Sequence, residues 1–313
     1  MAVTKGPRPD DQRPIRWYRR RWLHLVLGVL VAVAGITWAG QRATDGVRAN
    51  LDARLRDAGA GTDAALVTLE SQHLSALRAV TFTEGVGRAL AAQDTAALNR
   101  LVTPIQANSG VPMVDVVLPD GTVELAVRSK GAPAPVASRA GMPAIQQAMR
   151  EAHGPRGGRF TELLIFKSGP TIVTTGAVVY GGKPVGVVLV MTPLADALGR
   201  ISQEVAANLT SYVRTGTPIA TTAPFRPNPV DPDTARALMG GAAVEMRYVR
   251  GDEREALGRL ILDHQAAAVL GASLHDNSAE TGRAVCLYAG LGLVGAVLIF
   301  GSFWIRISNR RPM

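Results

Sequence analysis

The chain has 313 residues, one cysteine and a formal net charge of +9, and 47% of its residues are hydrophobic. A single cysteine excludes an intramolecular disulfide framework and a thiolate metal site. The positive charge lies at the two ends: residues 1–21 carry +5 and residues 306–313 carry +3, whereas residues 41–283 carry +1. Nucleic-acid binding would need basic residues clustered on the central region, so no nucleic-acid partner is predicted.

Two apolar segments lie just inside the charged ends. Residues 22–40 and 284–305 contain no charged side chain, and each is long enough to cross a bilayer as a helix. Because Lys and Arg beside a span stay on the cytoplasmic side, both termini are predicted to be cytoplasmic and residues 41–283 to be exported. This arrangement is typical of an integral protein of the bacterial cytoplasmic membrane. The alternative for the first segment is a cleaved signal peptide, whose apolar part is usually about 7–15 residues.

Residues 41 to about 105 have helical periodicity, with apolar side chains every three or four positions. An interruption is predicted at Gly59-Ala60-Gly61, where Thr62 would cap a new helix, and Asp94 predicts the start of a further one. The apolar stripe of the first helix indicates either a solvated stalk or a helix that pairs with a second copy of the chain.

Strand signals begin near residue 111. Strands are predicted at 113–118, 122–127, 159–166, 171–180 and 185–191, with a short helix at 142–152 and a helix starting at Pro193. A weaker repetition of this plan follows, with strands at 209–214, 218–222, 244–249, 259–262 and 266–274 and a helix at 233–239. The sequence therefore predicts two antiparallel modules of the α+β class.

Four segments resemble Cache-type extracytoplasmic sensors. Residues 91–101 resemble their helical lead-in, 114–123 their first hairpin and 176–190 their closing hairpin, while 268–274 is similar to the closing strand of a second module. Two such modules behind a long helix form the double-Cache plan. The resemblance implies a long N-terminal helix with two PAS-like antiparallel-sheet modules, flanked by two transmembrane helices.

The predicted division of the chain follows from the spans and the resemblance together. It comprises a cytoplasmic tail (1–21), transmembrane helix 1 (22–40), a long helix plus membrane-distal PAS-like module (41–207), a membrane-proximal PAS-like module (208–283), transmembrane helix 2 (284–305) and a cytoplasmic stub (306–313). The resemblance implies a sensor, without enzymatic activity, that binds a small-molecule ligand and passes a conformational signal through the membrane. A homodimer through the long helix is also predicted. No output domain is expected in the stub, so the chain is predicted to signal through a separate cytoplasmic protein, to be a fragment of a longer signalling protein, or to have lost signalling.

Candidate ligand-binding residues are polar side chains on the predicted strands of the first module. They are Asp115, Arg128, Arg159, Thr174 and Tyr180. Either arginine would clamp a carboxylate through paired N–H donors, and the alternative for each is cover of a sheet edge. The Arg and Trp-Tyr signature of amino-acid-binding double-Cache sensors is missing from the sequence, so no ligand class is carried over.

No catalytic residue, cofactor or metal is predicted. The pairs Asp263-His264 and His275-Asp276 would make a metal site if their strands were neighbours, but solvated strand ends are the favoured interpretation. The alternative function is a non-catalytic envelope protein whose exported region docks a protein partner.

Overall fold

The computed structural model describes residues 13–250 and 252–308. The helices are α1 (Arg13–Phe82), α2 (Val86–Ala91), α3 (Thr95–Ser109), α4 (Pro143–Arg150), α5 (Leu194–Val205), α6 (Pro232–Met239) and α7 (Ser278–Ser308). The strands are β1 (Met113–Val117), β2 (Val123–Arg128), β3 (Phe160–Phe166), β4 (Gly169–Tyr180), β5 (Lys183–Pro193), β6 (Asn208–Tyr212), β7 (Pro218–Thr221), β8 (Glu245–Arg250), β9 (Glu253–Leu262) and β10 (Gln265–His275). The described residues divide into two compact units: Asp52–His275 forms one, and those before Asp52 and after His275 form the other.

Helix α1 is continuous for 70 residues, so the break predicted at Gly59-Ala60-Gly61 is wrong. Thr62 does not cap a new helix, because its hydroxyl donates to the Ala58 carbonyl at 2.7 Å, one turn earlier in the same helix. Packing explains the difference: Ala58 and Leu66 are buried in a core shared with α5 and the strands β6, β9 and β10. This burial outweighs the destabilising effect of glycine in a helix, which is about 1 kcal/mol per residue relative to alanine.

The part of α1 that begins at Val26 contains one stretch that is long and apolar enough to cross a membrane. The second predicted span, 284–305, lies within α7. The outermost parts of the predicted cytoplasmic ends, residues 1–12 and 309–313, lie outside the described residues.

The start of α3 follows the sequence signal. Asp94 is its N-cap, and the side chain accepts a hydrogen bond from the Ala97 backbone N–H at 2.9 Å. The bond satisfies one of the free N–H groups of the first turn. The prediction of a helix start at Asp94 is therefore confirmed.

Two five-stranded sheets with the same plan form the larger unit. The first has the order β2-β1-β5-β4-β3 and the second the order β7-β6-β10-β9-β8. Every strand pairing is antiparallel. In each sheet, one short helix separates the first two strands from the last three along the chain: α4 in the first sheet and α6 in the second. The repetition of plan predicted from the strand signals is confirmed.

Apolar side chains cover both faces of each sheet. One face of the first sheet packs against α1, α2 and α3, and the other packs against α4. In the second sheet, one face meets α1 and α5 and the other meets α6. Each sheet is thus a buried layer between helices, and a polar side chain inside it needs a specific partner.

Candidate functional site

The α4 face of the first sheet carries one buried charge in the middle of β1. Alternate residues of a strand point to opposite faces, and Met113 and Val117 pack in the α4 core whereas Val114 and Val116 pack against the helices of the other face. Asp115 therefore projects toward α4. Its side chain is fully buried, so it must be paired or neutralised.

Two arginines pair with Asp115, one on each carboxylate oxygen. Arg128 of β2 places Nη2 2.5 Å from Oδ1. Arg139 donates from Nη2 to Oδ2 at 2.9 Å and from Nε to the same oxygen at 3.2 Å. Each of the two arginine side chains is 11% exposed, whereas the Asp115 side chain is fully buried.

Arg139 lies in the connection between β2 and α4, and the backbone there is fixed by Gly121. The Arg139 N–H donates to the Gly121 carbonyl at 2.7 Å. Gly121 has φ +90°, and a Cβ at that position would lie 2.5 Å from the Ala140 Cα. Only glycine allows this conformation and this close approach together.

The Arg139 guanidinium is also enclosed by apolar groups. Its Cζ stacks 4.6 Å from the centre of the Phe166 ring, and its Nη2 lies 3.7 Å from the Met191 sulfur. A cation over an aromatic face is stabilised by the ring quadrupole. Arg139 is thus held between the loop, β3 and β5.

Arg128 is less completely satisfied. Its Nη1 donates to the carbonyls of Val114 and Val127 at 3.3 and 3.0 Å. Its Nε is buried and has no hydrogen-bond partner among the described residues. Such a donor is destabilising until a partner arrives.

Thr174, one of the five candidate residues, lies on the opposite face of the first sheet. Its hydroxyl is 3.1 Å from Nδ1 of His73 on α1, and Nε2 of His73 is 2.7 Å from the Thr192 hydroxyl. Thr161 completes the cluster at 2.9 Å from Thr174. Burial, with a smaller contribution from the charge of Arg200, lowers the pKa of His73 to about 4, so the ring is neutral near pH 7.

The remaining two candidates lie apart from the Asp115 cluster. Arg159 precedes β3, and its Nε donates to the Arg156 carbonyl at 2.7 Å. Tyr180 ends β4 and is exposed beside Gly87 of α2. Of the five predicted residues, the structure brings together only Asp115 and Arg128.

Arg139 is the residue that sequence reasoning missed. It lies in a segment rich in Pro, Ala and Gly, and such segments predict loops without indicating where their side chains point. The available signal was Asp115 itself, a lone acid in a strand of apolar residues, which must find a cation when the strand is buried.

The second sheet holds a comparable cluster on its α6 face. The buried Glu255 carboxylate accepts hydrogen bonds from Tyr212 Oη and from Arg247 Nε, both at 2.8 Å. Arg247 also donates to the carbonyls of Asn228 and Pro229 at 3.0 and 2.8 Å. Burial is the main cause that raises the pKa of Glu255, and burial together with the Glu255 charge raises the pKa of Tyr212.

Two further features bear on binding. Within the described residues, no three His, Cys, Asp or Glu side chains come together in a way that would hold a metal ion. A shallow groove of about 150 Å³ runs between α1 and α5 and is lined by Thr68, Gln72, Arg200 and Glu204 among others. It is open and small compared with ligand pockets, which are typically about 300–1,000 Å³.

Comparison with known proteins identifies the fold. No family model matches the chain, and no curated protein matches its sequence. The chain resembles solved structures of domains from three other proteins. The ligand-binding domain of the Campylobacter jejuni chemoreceptor Tlp3, solved with L-norvaline, has a TM-score of 0.52 at 13% identity, covering 75% of this chain and 93% of that one.

The sensor domain of the V. cholerae histidine kinase DctB has a TM-score of 0.50 at 10% identity, covering 72% of this chain and 98% of that one. A domain of a putative sensory box/GGDEF family protein from Vibrio parahaemolyticus has a TM-score of 0.53 at 10% identity, covering 74% of this chain and 99% of that one. These matches confirm the predicted α+β fold, with a long N-terminal helix and two antiparallel sheets.

Proposed function

We propose that the chain is a membrane-anchored, non-catalytic sensor whose first module binds a small ligand at the cluster of Asp115, Arg128 and Arg139. The observation that carries the proposal is the buried charge cluster on the α4 face, whose two arginine side chains are each 11% exposed. The fold supports it, because similar structures are ligand-binding and sensor domains of chemoreceptors and histidine kinases. The half-buried Arg159 and the exposed Tyr180 each lie apart from the other candidates, which favours this cluster over them.

Strand β5 supports a route from the ligand to the long helix. Met191 contacts Arg139 on the α4 face, and the next residue, Thr192, hydrogen-bonds His73 of α1 on the opposite face. A ligand that moves Arg139 would bias the position of β5 and hence the packing of α1. Such a ligand shifts the equilibrium only if it binds the two arrangements with different affinity.

The proposal includes the membrane arrangement predicted from the sequence. Residues 22–40 and 284–305 span a bacterial cytoplasmic membrane, both termini are cytoplasmic, and residues 41–283 are outside, with module 41–207 distal and module 208–283 proximal. Support comes from the charge at the two ends and from the long apolar stretch in α1. Two copies pair through α1, which exposes Val67 and Phe82, and a separate cytoplasmic protein receives the signal.

A thermal-shift screen tests ligand binding. The full chain in detergent is heated with a library of organic acids, amines and amino acids, and a ligand that binds the folded state raises the midpoint of unfolding by mass action. The shift should disappear in Arg139→Gln and persist in Arg156→Gln, a control that removes an exposed arginine of the same module. If no compound shifts the midpoint, or if Arg139→Gln responds like wild type, the sensing function is wrong and the protein-docking alternative gains support.

Reporter fusions test the topology. A fluorescent protein that folds only in the cytoplasm, fused after residue 313, should be bright, and a periplasmic phosphatase inserted near residue 131 should be active. Gly131 suits the insertion, because a side chain there would meet open space. The opposite pattern would reject the membrane arrangement without bearing on the ligand site.

A further inference from the structure

We infer that the first-module site takes a small monoanion, a short carboxylic acid in its ionised form, in preference to an amino acid or an amine. This inference rests on the proposed function, because it names the ligand class of the same site.

The charges of the cluster do not cancel. Among the described residues, the ion pairs of Arg128 and Arg139 are both with Asp115, so two guanidinium cations share one carboxylate. Both arginine side chains are nearly nine-tenths buried, where a charge interacts strongly with its neighbours and is poorly solvated by water. One negative charge brought by a ligand would neutralise the cluster.

The donors of the cluster are also incompletely used. Arg128 Nε is buried without a partner, and Arg128 Nη2 meets Asp115 as an ion pair that lacks hydrogen-bond alignment. A guanidinium presents its donors as a planar fork that matches the two oxygens of a carboxylate. The unused edge of Arg128 is therefore suited to an anionic oxygen.

Asp115 is not available to bind an ammonium group. Its Oδ1 faces Arg128, and its Oδ2 accepts from two nitrogens of Arg139. An amino-acid ligand would have to displace one of these arginines to place its ammonium on Asp115, leaving the displaced cation unpaired. A monoanion needs no such exchange, and its apolar part would meet side chains of the α4 core such as Phe166 and Met191.

The second module shows what a completed cluster looks like. Glu255 and Arg247 are one anion and one cation, and Arg247 donates to Glu255, Tyr212, Asn228 and Pro229. The charges of the second-module cluster therefore balance without a ligand. The first-module cluster has one more positive charge and one unpaired donor, Arg128 Nε, and an added anion would compensate both.

An isosteric series of probes tests the ligand class. The full chain in detergent is titrated calorimetrically with butyrate, butyramide, butylamine and 2-aminobutyrate, and with acetate, propionate and hexanoate to vary length. We expect at least one carboxylate to bind, with affinity at least tenfold above that of its matched amide, amine and amino acid. At a concentration a hundred times its dissociation constant it should raise the unfolding midpoint by roughly 5–10 °C.

Variants assign the binding to the cluster. Arg128→Gln and Arg139→Lys should each weaken carboxylate binding at least tenfold, while Arg156→Gln should leave it unchanged. Arg139→Lys keeps the positive charge but removes the paired guanidinium donors. The titration of the wild-type chain with the probe compounds decides the ligand class even if Arg128→Gln does not fold. Binding of 2-aminobutyrate or butylamine that depends on Arg139 would overturn the anion inference and leave the sensing site standing. Failure of all four carboxylates to bind would also overturn the inference, and carboxylate binding that survives both variants would overturn the site itself.

Discussion

Arg139 and His73 contact neighbouring residues of β5 from opposite faces of the first sheet. Arg139 Nη2 lies 3.7 Å from the sulfur of Met191, and His73 Nε2 lies 2.7 Å from the hydroxyl of Thr192. Because successive residues of a strand alternate between faces, one short segment touches both the charge cluster and the long helix. The central strand of the module therefore contacts both the Asp115 cluster and α1, as the proposed route from ligand to helix requires.

The buried His73 should make stability depend on pH. The folded-state pKa of about 4 is below the usual value of 6.5, so the unfolded chain binds the proton more readily. The contribution of His73 to stability is therefore complete above about pH 6.5 and is lost as pH falls toward 4. Between pH 7.5 and 4.5 the free energy of unfolding should fall by an amount on the order of 2–3 kcal/mol. Chemical denaturation of the full chain, followed by a signal from the Asp52–His275 unit, measures this fall.

Two histidine variants isolate this effect. His73→Gln should flatten the part of the pH dependence that lies between 6.5 and 4, whereas His153→Gln should not, because His153 is exposed. An unchanged pH profile in His73→Gln would show that the ring is not the group responsible.

Gly121 should be sensitive to the addition of a single methyl group. Gly121→Ala places a Cβ against the Ala140 backbone at φ +90° and should destabilise the fold by roughly 1–3 kcal/mol. It should also weaken ligand binding, because the Gly121 carbonyl accepts from the Arg139 N–H. Thermal unfolding and the calorimetric titration measure the two effects.

Gly131 provides the matched control for that substitution. It has φ +87° and lies in the β2–α4 connection that also carries Arg139, whereas Gly121 lies in the β1–β2 turn, and a Cβ at Gly131 meets nothing within 4 Å. Gly131→Ala therefore carries the conformational strain without the collision, and it should leave ligand binding intact. Equal losses in the two variants would mean that the contact with Ala140 does not position Arg139.

The Arg247–Glu255 pair should behave as a buried ion pair. Arg247→Met leaves the Glu255 carboxylate buried without its cation and should destabilise the protein by roughly 3–5 kcal/mol. Adding Glu255→Gln removes the uncompensated charge, so the double variant should be more stable than Arg247→Met alone. Arg236→Met, which breaks a solvent-exposed pair with Asp233, should have little effect. Strict additivity in this double-mutant cycle would contradict the pairing.

The two helices of the smaller unit approach closely at small residues. A Cβ at Gly40 would lie 3.9 Å from the Cβ of Cys286, within the range of about 3.5–4.5 Å that a disulfide requires. Gly40→Cys should therefore form a disulfide with Cys286 under mild oxidation, detected as loss of both alkylatable thiols by mass spectrometry. Gly46→Cys, with open space around its Cβ, should keep two free thiols. Two free thiols in oxidised Gly40→Cys would reject this helix packing.

Much of the fold could be predicted because its signals are local. The cap at Asp94 and the runs of apolar and β-branched residues in β4 and β5 are each encoded within a few neighbouring residues. The continuous helix through Gly59 could not be predicted in this way, because distant side chains of α5 and the second sheet stabilise it.

The site was harder to predict than the fold. Alternation in β4 indicates that Thr174 shares a face with Ile172, but it does not indicate which layer that face meets. Chemical type alone groups Thr174 with Asp115, whereas the structure places its hydroxyl in a hydrogen bond with His73. Arg139 reaches Asp115 from a loop 24 residues along the chain, a contact that only the assembled tertiary structure specifies.

The most direct test of the account is an experimental structure of the chain bound to the compound that stabilises it most. The account predicts the ligand on the α4 face of the first sheet, with an anionic oxygen within hydrogen-bond distance of Arg128 and Arg139. A ligand found in the groove between α1 and α5, or on the second sheet, with the Asp115 cluster unchanged, would contradict it.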